Sequence, residues 1–142
     1  MIGDYVIKAA TAWFIGFFPL AEIYVAIPAA VATGLDDVSV VFWSVFGNLT
    51  PVFLINYLYE WMIRFPRIGR WLTGLVSEKA KARINRWGIG FVLLLTPWTG
   101  VWVMAVTAKA LGMSSRRFIP AASVSVLVYA IVIVVLLRAG IT

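Results

Sequence analysis

The sequence contains neither cysteine nor histidine, and these two absences remove much familiar chemistry at once. Without cysteine there is no disulfide and no thiolate metal site, and nothing records the redox compartment. Without histidine the commonest general base and transition-metal ligand is missing. Charge is scarce as well, at 13% of residues, with six carboxylates against twelve Lys and Arg. No glycine-rich loop that could cradle a phosphate is legible, and Glu22 on its own makes no catalytic pair. The chain is therefore read as a non-enzyme, with no cofactor and no metal site.

What remains is overwhelmingly apolar. Over 142 residues, 63% are hydrophobic and the mean hydropathy is +0.97, a composition foreign to water-soluble domains. Two stretches, Val38–Tyr59 and Phe118–Leu137, carry no charged side chain over the ~20 residues needed to cross a bilayer core. Both are read as spanning helices. Seven of the twelve cations fall between hydrophobic blocks, at Arg64, Arg67, Arg70, Lys79, Lys81, Arg83 and Arg86. The net charge of +6 thus fits a cytoplasmic loop under the positive-inside rule better than a nucleic-acid surface. The opening MIGDYVIKAATAWF lacks a basic leader and a cleavage site and is expected to belong to the mature protein.

Two further blocks, 5–35 and 88–112, are each interrupted by proline. Pro19 precedes Glu22 and Pro28, and Pro97 lies within TPWTG (Thr96 to Gly100). Proline removes a backbone donor and clashes with the preceding turn, so each block is expected to break there. At membrane depth such a break needs protein or a water-filled cavity around it. A shift of 78 residues superimposes Pro19 on Pro97, Val25 on Val103, Ala30 on Ala108, Gly34 on Gly112 and Leu49 on Leu127. The shared plan is a broken block, a glycine, a short polar turn (Asp36 and Asp37 against Ser114 and Ser115) and an unbroken span. This reads as an inverted repeat whose substrate is handled where the broken helices meet.

The expected fold is all-α and integral to the membrane. Residues 1–59 form the first half, with a re-entrant block 5–35 and a span 38–59. Residues 60–87 form a basic connector, and 88–142 the second half, with a re-entrant block 88–112 and a span 118–137. With the connector inside, a re-entrant second block puts Arg116 and Arg117 on the cytoplasmic face but leaves Arg138 outside. The alternative, in which each broken block crosses once, strands Arg116 and Arg117 outside. Within the connector, Ile68, Trp71, Leu72, Leu75 and Val76 follow helical spacing, which predicts one amphipathic helix lying on the inner surface.

Glu22 is the sharpest signal for function. Thirteen uncharged residues flank it on each side, and a charged group at the bilayer centre costs roughly 2.5–3.5 kcal/mol. It suits a proton carrier or cation partner, or else a cap on the helix after Pro19. Lys109 could pair with Glu22, meet an anionic headgroup, or snorkel. Arg116 and Arg117 could grip phosphate or simply report topology. Within GNLTP, Asn48 and Thr50 could bond across helices or line a path, beside the helix breaker Pro51. Trp98 and Trp102, one turn apart, fit a cavity wall or an interfacial anchor.

At EIYVAIPAAVATGL, Glu22 to Leu35, the chain resembles the small multidrug export protein family, through Glu22, Ala26, Ile27, Pro28, Gly34 and Leu35. Gly47, Asn48 and Pro51, then Leu111, Gly112 and Arg116 to Phe118, extend the likeness along most of the chain. The family often carries arginine two residues after the glutamate, where this chain has Tyr24, so a Glu–Arg couple is absent. The arrangement is also similar to the wider DedA and VTT superfamily. That likeness implies a prokaryotic inner membrane and a polyprenyl-phosphate or phospholipid substrate. The expected function is transport of an amphipathic or anionic lipid-like molecule or a drug-like solute, with protons coupled through Glu22. The pathway residues are Glu22, Tyr24, Pro28, Asn48, Pro97, Trp98, Thr99, Lys109, Arg116 and Arg117. The expected partners are membrane lipids, an amphipathic or anionic small molecule, protons, and further copies in a homodimer or higher homo-oligomer, with no nucleic acid. The competing reading is a membrane scaffold that binds a partner or organises lipid.

Overall fold

A computed structural model describes residues 2–18 and 22–140, leaving aside the side chains of Glu22, Leu95, Pro97 and Trp98. Pro19 lies outside the described residues. Among the described residues the protein is all-helical, with eight helices: α1 (Ile2–Phe17), α2 (Glu22–Ala32), α3 (Asp37–Met62), α4 (Pro66–Leu75), α5 (Glu78–Trp87), α6 (Ile89–Thr99), α7 (Val101–Ala110) and α8 (Ser115–Arg138). Among the described residues, only α3 and α8 are long and apolar enough to cross a membrane. At ~1.5 Å per residue they reach ~39 and ~36 Å, more than the ~30 Å hydrocarbon core. α3 runs straight through Pro51 and α2 through Pro28, so neither proline ends its helix. Beside Pro51, the Thr50 hydroxyl donates to the Phe46 carbonyl at 2.7 Å, the kind of local repair that membrane helices use around proline.

The chain divides into two compact units. The first comprises Met1–Thr50 and Val126–Thr142. Here α1 packs on α2 and lies alongside the first half of α3 in the same direction. The Tyr5 hydroxyl meets Ser39 at 2.9 Å, and Trp13 donates to Thr50 at 3.1 Å. Only residues 33–36 separate α2 from α3, so α2 leads back to the end where α3 begins. The closing half of α8 runs antiparallel to the opening of α3, with Arg138 against Asp37 at 2.6 Å.

The second unit is Pro51–Ser125. Its centre is α7, in which every residue from Val101 to Ala108 except Val103 is buried. α4, α5 and α6 all pack on it. The amphipathic helix expected from Ile68 to Val76 is α4, and the connector carries a second helix, α5, beyond it. Ser77 lies between the two, accepting a hydrogen bond from the Ala80 N–H at 3.1 Å as the N-cap of α5. The apolar face of α4 turns onto protein: Leu72 is fully buried, and the Trp71 ring meets that of Trp102 at 5.0 Å.

The second break also moves. α6 continues through position 97 to Thr99, and Gly100, at φ 100°, separates it from α7. A φ of 100° is open essentially to glycine alone, so the helix stops at Gly100. The short apolar helices Ile23–Ala32 and Val101–Ala110 are 78 residues apart at both ends, and so are the starts of α3 and α8.

Candidate functional site

In the first unit α1 crosses α3 where both helices carry glycine. A Cβ on Gly47 would lie 2.0 Å from the Trp13 carbonyl oxygen, and one on Gly16 would lie 2.6 Å from that of Ser44. Only bare backbones can approach so closely. At this crossing Asn48 Nδ2 donates to the Gly16 carbonyl at 3.1 Å, so Asn48 does bond across helices. The remaining polar atoms do not close on each other. Ser44 and Asn48 sit one turn apart on α3 and are 0% and 1% exposed, yet Ser44 Oγ and Asn48 Oδ1 have no hydrogen-bond partner among the described residues. A buried orphan of this kind costs roughly 1–3 kcal/mol, so two together in the first half of α3 call for a physical reason. In the second unit Ser125 Oγ on α8 is a further such atom.

The same pair of helices forms an open apolar groove of about 400 Å³, lined by Tyr5, Trp13, Trp43, Phe46 and Thr50 among others. Its polar atoms are already engaged. Trp13 Nε1 donates to Thr50, and Trp43 Nε1 donates to the Tyr5 hydroxyl at 3.0 Å. The Tyr5 hydroxyl contacts Ser39 Oγ, which donates to Asp36 at 2.7 Å. What the groove offers is therefore aromatic surface, suited to the apolar body of an amphipathic molecule. Hydrogen bonds from the Ser39 side chain and backbone hold the Asp36 carboxyl below its ordinary value.

The expected pathway residues fall into both units. In the first, Glu22 opens α2, and its side chain lies outside those described. Tyr24 and Pro28 are exposed, one turn apart, while Ile23, Ala26, Ile27 and Ala30 form the buried stripe of the same helix. In the second, Pro97 and Trp98 belong to α6 but their side chains are outside those described, and Thr99 is half-buried. Trp102 is buried against Trp71, which makes it a packing residue. Lys109 is exposed and borders a cavity of about 20 Å³ with Asn56, Met113 and Ser115, room for about one water. The Ser115 hydroxyl is hydrogen-bonded to the Asn56 side-chain oxygen, and Arg116 and Arg117 stand exposed in the first turn of α8.

Sequence reasoning did not single out Ser44, the Gly16 and Gly47 crossing, or the aromatic groove. One signal was available: Ser44 and Asn48 are four apart in a charge-free span, hence on one helix face. The glycine crossing joins positions far apart in sequence and left no such mark. No group of His, Cys, Asp or Glu able to hold a metal occurs among the described residues. A family model described as small multi-drug export protein matches residues 22–132. No curated protein and no solved structure matches the chain.

Proposed function

Because the chain belongs to the small multi-drug export protein family, we propose that this membrane protein moves an amphipathic molecule, lipid-like or drug-like, across or within the bilayer. The observation that carries this reading is the pair of buried oxygens of Ser44 and Asn48 in the first half of α3, unpartnered among the described residues. They sit beside the last turn of α1, and only four residues separate that helix from Glu22. Ala26, one turn after Glu22, is fully buried. A polar headgroup, a water or a proton held at the tip of the first block would satisfy these oxygens, while the aromatic groove takes the apolar body. Glu22 is the group we assign to bind the polar end or carry a proton.

The re-entrant, inverted-repeat reading draws support from three features. α1 and α2 begin and end near the start of α3, the helix boundaries recur at 78 residues, and α3 and α8 run antiparallel within the first unit. Charge favours the basic unit as cytoplasmic. Pro51–Ser125 carries ten cations and two carboxylates, against two cations and four carboxylates elsewhere. Arg138, the cation this topology leaves outside, is neutralised by Asp37, and Lys8 by Asp4 at 2.9 Å. The likeness to the DedA and VTT superfamily rests on this arrangement alone. The exposed Tyr24, Val25 and Pro28 stripe of α2 suits a second copy in a homodimer, and it is also the feature that favours a partner-binding scaffold.

The test is translocation of labelled polyprenyl phosphate, phospholipid and an amphipathic dye in liposomes, with and without a pH gradient. Glu22→Gln is expected to slow the transported species by ~10-fold or more, the effect of ~1.4 kcal/mol at the barrier. Full activity in Glu22→Gln removes the carboxylate from the path. Absence of movement of all three, with a partner co-purifying, establishes the scaffold.

A further inference from the structure

The first unit holds a second feature, independent of the proposed transport path. At the end where α3 begins and α8 closes, an apolar groove of about 500 Å³ runs between the two helices. Val38, Phe42, Leu127, Ile131 and Val135 line it, and Asp37 stands at its head. All five apolar side chains are exposed. Asp37 and Arg138 form an ion pair, and each side chain is half-exposed at 51%. The pairing is lopsided. Both Arg138 Nε, at 2.9 Å, and Arg138 Nη2, at 2.6 Å, donate to Oδ1 of Asp37. Oδ2 of Asp37 and Nη1 of Arg138 have no hydrogen-bond partner among the described residues. An open anionic acceptor therefore stands beside an open cationic donor, above a groove that takes hydrocarbon.

We propose that this groove holds one acyl chain of a zwitterionic phospholipid with a primary-ammonium headgroup, whose ammonium donates to Asp37 and whose phosphate accepts from Arg138. Charge complementarity selects the occupant. Asp36, Asp37 and Arg138 together leave the rim with one net negative charge, which disfavours an anionic headgroup. The Asp36 carboxylate is occupied by the Ser39 backbone N–H at 3.0 Å and the Ser39 hydroxyl, so it contributes charge and does not compete for the ligand. A primary ammonium can hydrogen-bond Oδ2, whereas a quaternary ammonium has no N–H to give.

The test offers the detergent-solubilised full chain equal amounts of phosphatidylethanolamine, phosphatidylcholine and phosphatidylglycerol with identical acyl chains, and reads retained lipid by native mass spectrometry. Retention of the ethanolamine lipid over each of the others by about fivefold is expected, the scale of a charge-assisted hydrogen bond. Asp37→Asn is expected to reduce the preference over phosphatidylcholine to below about twofold, and Arg138→Gln to lower retention of all three lipids. Ile131→Trp, which fills the groove without touching the ion pair, is expected to lower retention of every lipid. Equal or greater retention of phosphatidylglycerol by the unaltered chain overturns the proposal. So does an undiminished preference in Asp37→Asn, or a stable dimer of the unaltered chain that retains no lipid, which would give the groove to a second copy. The lipid ranking of the unaltered chain decides the matter if the charge variants fail to fold.

Discussion

The two units solve the same problem, covering a short apolar helix, in opposite ways. In the basic unit α7 is wrapped on nearly every side, by α4, α5 and α6. In the nearly neutral unit α2 keeps one stripe buried and presents Tyr24, Val25 and Pro28 outward. The difference comes from the connector. It lies between the halves, so only one half can fold it back as a covering layer, and its arginines and lysines go with it. Two helices with the same 78-residue spacing therefore differ in burial, and α2 is the one with an exposed face.

The sharpest way to break this contrast is to add one methyl group at a helix crossing. Gly47→Ala drives a Cβ into the Trp13 carbonyl, and a clash of backbone with backbone should destabilise the first unit by about 3 kcal/mol or more. Gly74→Ala in α4 meets nothing within 4 Å and has no positive φ, so it should stabilise by about 0.5–1 kcal/mol through backbone entropy. Unfolding in mixed micelles of rising denaturing-detergent fraction measures both. Equal effects would mean that the crossing is not formed.

Next in size is Leu72→Ala. If α4 is a packed lid on α7, losing this fully buried side chain should cost about 2–5 kcal/mol. A helix merely resting on lipid would lose far less. Val25→Ala on the open face of α2 should stay within about 0.5 kcal/mol. The smallest effect concerns pH. The Asp36 carboxyl titrates below its ordinary value of 3.8 because Ser39 donates to it at the start of α3. Its contribution to stability is then fully present above that value and is lost as pH falls through the lower folded one. Asp36→Ala should flatten the acid limb of a stability–pH curve below pH 3.8, and an unchanged limb would show that the cap contributes nothing.

The parts of this fold legible in the sequence were those written in long charge-free runs. α3 and α8 extend the expected spans by no more than three residues at either end, because twenty apolar residues leave a helix little choice of environment. Proline was a poorer guide. Pro28 and Pro51 sit inside helices, and the second break falls on Gly100, since a positive φ ends a helix where a missing N–H only weakens it. Periodicity found the apolar face of α4 but not what covers it, because Trp71 and Leu72 would show the same spacing against lipid or against α7. Of the site, Asn48 was recognisable as a polar residue in a span. Ser44, Gly16 and the ion pair of Asp37 with Arg138 depend on contacts across 28 to 101 residues, which no local pattern encodes.

The lengths of the short helices bear on how the protein is made. α1, α2, α6 and α7 have 16, 11, 11 and 10 residues, at most ~24 Å each, and none can bridge a bilayer by itself. A translocating machinery that releases segments one by one into lipid would find only α3 and α8 able to stay there alone. The segment bearing Glu22 is one of these short helices, and α3 follows it after four residues. Its neighbour α1 meets α3 backbone to backbone at Gly16 and Gly47, so that crossing ties the short helices to one long enough to span.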